Sequence, residues 1–180
     1  METLDAFPLV LQKPCKEFLE SYRNACSETC GFVNHPTLMH DPAQFEQWKD
    51  SIFDTYEKHE KGIDLPEGQM PSATYWLVSG SEYIGTINIR LKLTEELENY
   101  GGHASIFIRC SARGKGYATK ALDLTLAQAR KLGISPILIT CIESNAASLH
   151  SLLNAPHEKR ESVSTVANGT ECKVSRFWFR

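Results

Sequence analysis

The chain lacks any long hydrophobic run, and nothing in it approaches the roughly 18 apolar residues of a membrane-spanning helix. Its opening, METLDAFPLVLQK, lacks the basic start and long apolar stretch of a signal peptide, so the expected location is cytoplasmic. No segment is purely Pro, Gly or Ser rich and no internal repeat occurs, which excludes fibrous and low-complexity classes. A zinc pattern is also missing. The six cysteines, Cys15, Cys26, Cys30, Cys110, Cys141 and Cys172, are scattered, and the sketchable set of Cys26, Cys30, His35 and His40 has no common zinc spacing. Thiols rather than bridges, and no metal, are therefore expected. What remains is ordinary for a folded protein: 180 residues, 42% hydrophobic and 23% charged, enough for one domain spanning 1–180 with a full core.

Charge is unevenly placed. Residues 1–100 carry 8 Lys and Arg against 17 Asp and Glu, whereas residues 101–180 carry 11 against 5. The second half suits an anionic ligand and the first a cationic one.

Periodicity orders the elements. FPLVLQKP reads as a strand, and Phe18, Leu19, Tyr22 and Ala25 mark a helix. Asp41 can cap a second helix with Pro42 at its first position, running to about Gly62 with Phe45, Trp48, Ile52, Phe53 and Tyr56 on its apolar face. TYWLVSG and EYIGTINIRLKL read as an antiparallel hairpin; in the second strand Asn88, Arg90 and Lys92 alternate with apolar residues and face water or a cleft. HASIFI, a helix from Lys115 to Gly133 and PILITCI make a βαβ unit with parallel strands. A helix opened by Asn145 and a hairpin turning at Asn168-Gly169 close the chain. The sum is an α/β protein with a mixed sheet and helices on both faces.

The stretch IFIRCSARGKGYATKAL joins a strand to the start of the long helix. First-turn N–H groups there lack partners and the helix dipole is positive, so the turn is an anion site. Gly114 and Gly116 keep side chains away from those amides, while Arg113, Lys115 and Lys120 add positive charge. A Walker loop needs different spacing, and a dinucleotide fingerprint needs a third glycine where Thr119 stands.

The remaining pattern, Arg-x-x-Gly-x-Ala over Arg113 to Ala118, resembles the pyrophosphate loop of the GNAT superfamily of N-acetyltransferases. LPEG, TYWLV, GTINIR, NYGGH and LITC extend the resemblance over residues 60–150, to a group of bacterial acetyltransferases. It implies a mostly antiparallel sheet with a splayed parallel strand pair, acetyl-CoA as cosubstrate and a primary amine of a small molecule or peptide as acceptor. Ile106, Phe107 and Ile108 would offer backbone groups to the pantetheine arm. Arg113, Gly114, Lys115, Gly116, Tyr117, Ala118 and Thr119 would hold the pyrophosphate, with Asn145 and Ser148 as further cofactor contacts. A homodimer through an edge strand is common in the superfamily.

Acetyl transfer to an amine needs a base, because alkyl ammonium groups titrate near pH 10. His103 is the first candidate, with Glu143 and Glu98 behind it and Tyr100 as a proton donor to the departing thiolate. The tyrosine many relatives place seven residues after the helix-opening Asn is replaced by Leu152. That replacement supports an alternative, a non-catalytic acyl-CoA-binding or regulatory domain. Nucleic-acid stacking on Phe177 and Trp178 is weaker, since their alternation in a terminal strand suits core packing, and no nucleic-acid partner is expected.

Overall fold

Alternation along one strand feeds two cores. In the computed structural model, which describes residues 7–28, 40–167 and 169–180, β2 (Ser72–Ser79) is buried at every position. Ala73, Tyr75 and Leu77 point into one apolar cluster, while Trp76 and Val78 point into another on the opposite face. β2 lies between β1 (Val10–Gln12) and β3 (Glu82–Arg90), and β4 (Ala104–Ile108) completes a four-stranded antiparallel sheet.

One face is covered by α5 (Tyr117–Lys131), whose Ala121, Leu122, Leu126 and Ala129 are buried. The spacing of those four residues is that of one helical face, on the helix that the sequence predicts. α1 (Leu19–Cys26) and α3 (Ile52–Glu60) cover the other face, bringing Tyr22, Ile52 and Tyr56 around Trp76. Tyr22 stacks on Trp76 with centroids 4.6 Å apart. A second sheet, in the order β5 (Ile137–Ile142), β7 (Thr170–Phe179), β6 (Lys159–Ala167), adds Phe177 and Phe179 to the α5 core. α6 (Ala146–Leu153) closes that core with Leu152.

The helix expected over 41–62 is divided. Asp41 caps as expected, accepting from the Ala43 N–H at 2.9 Å, but it opens a 3-10 turn over Pro42–Gln44. A single turn, α2 (Phe45–Trp48), then stops before α3. Trp48 turns back so that Nε1 donates to the Asp41 carbonyl at 2.8 Å, and Ser51 N–H closes on the Trp48 carbonyl. That tightening lets Ile52 and Tyr56 face Trp76. Cys15, Cys26, Cys141 and Cys172 are free thiols, whereas Cys110 is disulfide-bonded, contrary to the expectation of thiols throughout. Cys30 and His35 of the weighed metal set, and Asn168 of the hairpin turn, lie outside the described residues. Among the described residues no helix is long and apolar enough to cross a membrane.

His40 sits at the edge of the aromatic core, its Nδ1 2.7 Å from the Tyr22 hydroxyl and its ring 4.9 Å from that of Trp48. Burial pushes its pKa down from 6.5 to about 4. The folded ring therefore stays neutral where the unfolded one takes a proton. Its stability contribution is whole above pH 6.5 and is lost as pH falls toward about 4. Denaturant unfolding across that range should show a shallower decline for His40→Gln than for the wild type; equal slopes would refute this assignment.

Candidate active site

β4 and β5 start together and then part. Gly101 N–H donates to Thr140 Oγ1 at 2.9 Å and His103 N–H to the Leu138 carbonyl at 2.7 Å. The Leu138 N–H returns to His103 Nδ1 at 2.9 Å. Gly102 permits this approach: its φ is +60°, and a Cβ there would lie 2.6 Å from the Leu138 carbonyl oxygen. Beyond this junction the two strands share no ladder and belong to separate sheets, so the parallel pairing expected across the βαβ unit is confined to contacts at one end.

The register decides which β4 groups face the opening. Arg90 N–H donates to the His103 carbonyl and Arg109 N–H to the Ile84 carbonyl, so backbone groups at 103, 105, 107 and 109 turn toward β3. The Phe107 carbonyl lies on that side too, 2.1 Å from where a Gly85 Cβ would stand. Of the three expected arm contacts, Ile106 and Ile108 turn their backbone toward the gap, and Phe107 turns toward β3. Arg113 Nε already donates to the Ile108 carbonyl at 3.1 Å.

The basic turn follows a 3-10 segment, Cys110–Ala112, and delivers the chain to α5. Gly114 and Gly116 have φ of +74° and +77°, and a Cβ on either would meet nothing within 4 Å. Gly116 is the N-cap of α5, contributes no side-chain cap, and no acidic residue stands in the first turn. Ala118 and Thr119 present exposed positions there, whereas the Tyr117 side chain is buried in the core. Lys115 and Lys120 make no ion pair among the described residues. An uncapped 15-residue helix behind two bare glycines fits a pyrophosphate.

On the face opposite α5, cross-strand neighbours Thr74, Asn88 and Ser105 form a polar row, with Ser72 and Arg90 beside it. Asn88 Nδ2 donates to Ser72 Oγ at 3.0 Å and Thr74 Oγ1 at 3.1 Å. The row begins at a cavity of about 320 Å³ lined by Lys13, Pro14, Phe53, Tyr56, Glu57, Glu60 and Thr74. At about 4.8 Å per strand it ends roughly 10 Å away on β4. Arg90 fixes the turn between α4 (Glu95–Asn99) and β4 by donating to the Gly101 and Gly102 carbonyls and to Ser105 Oγ. Its part in shaping the site was visible in the sequence only as one member of an alternating pattern.

Tyr100 and His103 both lie within electrostatic reach of Arg90, which gathers the three at the head of β4. Because His103 Nδ1 accepts a hydrogen bond, its neutral ring carries the proton on Nε2. Burial, and then the Arg90 charge, lower the His103 pKa, so the neutral ring is favoured. Glu143 is not with them: at the end of β5 its Oε1 accepts from Ser162 Oγ at 2.7 Å and Ser175 Oγ at 2.8 Å, bonds that lower its pKa. Asn145 caps α6, accepting from the Ser148 N–H at 3.2 Å. Leu152 is buried.

The fold matches known structures over nearly the whole chain. A family model described as an acetyltransferase (GNAT) domain matches residues 9–154. A ribosomal L7/L12 alpha-N-protein acetyltransferase in complex with coenzyme A is similar at TM-score 0.61 and 15% identity, covering 95% of this chain and 93% of that one. The Vibrio cholerae spermidine N-acetyltransferase in complex with CoA and spermine is similar at 0.56 and 14%, covering 95% and 94%. The Salmonella typhimurium protein yncA, solved with acetyl-CoA, is similar at 0.53 and 14%, covering 96% and 93%. No curated protein matches in sequence. The chain belongs to the GNAT acetyltransferase family, whose cosubstrate is acetyl-CoA.

His103→Asn keeps an acceptor facing the Leu138 N–H, whereas His103→Leu strands that group. Denaturant unfolding should cost His103→Leu about 1–3 kcal/mol and His103→Asn clearly less; equal losses would show that the hydrogen bond does not hold the junction.

Proposed function

We propose that the protein is an N-acetyltransferase acting on a primary amine of a cationic small molecule or peptide. The observation that carries this is the uncapped α5 N-terminus behind Gly114 and Gly116, opening beside the unpaired edge of β4. When bound, acetyl-CoA supplies an activated acetyl thioester. The first-turn amides and Lys115 hold its pyrophosphate, and the Ile106 and Ile108 edge holds the arm. The Ile108 N–H would stabilise negative charge developing on the thioester carbonyl oxygen. His103, bound to Leu138 through Nδ1, orients the head of β4 and offers an Nε2–H, so proton removal from the amine falls to another group or to solvent. The Tyr100 hydroxyl is the proton donor, and Asn145 and Ser148 line the cofactor side.

Acceptor charge rests on the acidic first hundred residues, and the similar Vibrio cholerae enzyme has spermine in its structure. Steering rather than chelation is the role assigned to those acids. Glu46, Glu57 and Glu60 are already paired with Lys49, Lys61 and Lys13. A second reading, an acyl-CoA-binding domain without turnover, is favoured by buried Leu152 and by the engaged state of Glu143.

Isothermal titration with acetyl-CoA should give binding that Gly116→Glu abolishes, and a panel of mono- and polyamines should release thiol. Binding without thiol release from any amine would favour the second reading. For an amine that reacts, KM should rise with ionic strength; a salt-independent KM would remove the cationic preference.

A further inference from the structure

The turn that begins the anion loop is gripped from the far side of the sheet. Glu28, just past α1, accepts the Ser111 N–H on Oε2 at 2.9 Å. Its Oε1 accepts Ser111 Oγ at 2.8 Å and Arg109 Nε at 2.8 Å. Arg109 is itself fixed, donating through Nη1 to the Tyr83 carbonyl at 3.0 Å and to Glu82 at 2.9 Å. Its side chain is 11% exposed and that of Glu28 19%, so solvent screens the pair far less than the surface ion pairs elsewhere.

Downstream, a Cβ at Gly114 or Gly116 would meet nothing within 4 Å among the described residues, so these two positions add no packing of their own to the loop. Its course is set from its two ends. α5 fixes one. At the other, beside the Cys110 disulfide and the Arg113 bond to the Ile108 carbonyl, Glu28 binds the backbone of Ser111 and the side chain of Arg109, residues on either side of Cys110.

We propose that Glu28 is a positioning residue for cofactor binding, a carboxylate that clamps residues 109–111 so that the amides of 114–118 converge on the pyrophosphate. The inference rests on the reading of residues 113–118 as the pyrophosphate loop. The sign of the effect separates a clamp from a bare charge. Arg109 faces two carboxylates, Glu28 and Glu82, so the cluster carries a net negative charge close to an anion site. Removing one carboxylate would strengthen anion binding if charge alone mattered; a lost clamp weakens it.

The test is isothermal titration of CoA into the wild type, Glu28→Gln and Ser111→Ala, with amide hydrogen exchange on each free protein. The expected result is about a tenfold weaker Kd for Glu28→Gln and a smaller loss for Ser111→Ala, following the removal of charge-assisted hydrogen bonds. Faster exchange should be confined to residues 110–118, with the melting temperature held. Unchanged or tighter CoA binding by Glu28→Gln overturns the proposal. Failure of the wild type to bind CoA overturns the loop reading itself, and the inference with it. Should Glu28→Gln not fold, Ser111→Ala decides: weaker binding supports the clamp and wild-type binding overturns it.

Discussion

The structure depends on a strand pairing that is begun and then abandoned. Hydrogen bonds from Gly101 and His103 hold β4 to β5 at one end, and neither strand finds a ladder partner across the gap thereafter. Unpaired backbone is costly unless something satisfies it. Each strand is therefore committed on its other edge, β4 to β3 and β5 to β7. The Ile106 backbone groups and the Ile108 N–H, beside the Ile108 carbonyl that Arg113 holds, are a ready surface for an extended polar chain. One continuous sheet would have been a more complete set of hydrogen bonds and would have had no slot.

The helix behind the slot is equally unfinished. α5 is long and well buried along Ala121, Leu122, Leu126 and Ala129, so its position needs no help from its N-terminus. That freedom allows Gly116 to leave the first turn uncapped. Arg113, the most obvious cation of the loop, turns back toward β4 and donates to the Ile108 carbonyl, tying loop and slot together. In the proposed function the backbone amides are the main recognition element, with Lys115 and Lys120 as supporting charge. The far anchor at Glu28 belongs to the face where the polar row and the acidic residues lie.

Much of this was legible in the sequence because local rules agreed. The alternation in β3, the helix of α5, the Asn145 cap and the bare glycines each have one physical meaning. The division of the 41–62 helix was not legible, since Trp48 folding back on the Asp41 carbonyl is a tertiary choice. Phe107 stood among the arm contacts because a strand's pairing register is invisible in its composition; only the β3 partner shows which edge each residue uses. His103 read as a base from its chemistry alone, and the Leu138 N–H that occupies its Nδ1 comes from 35 residues away. Glu28 gave no signal at all. It meets Arg109 and Ser111 across more than 80 residues of chain, and a single acidic residue past a helix resembles any surface charge.

The central claim is that the α5 N-terminus and the free β4 edge together hold the cosubstrate. Hydrogen exchange of the full chain with and without saturating CoA tests it most directly. The account predicts protection concentrated at amides 114–120 and at Ile106 and Ile108, with β6 unaffected. Protection that spares both stretches, or that gathers instead at the cavity beneath α3, would contradict it.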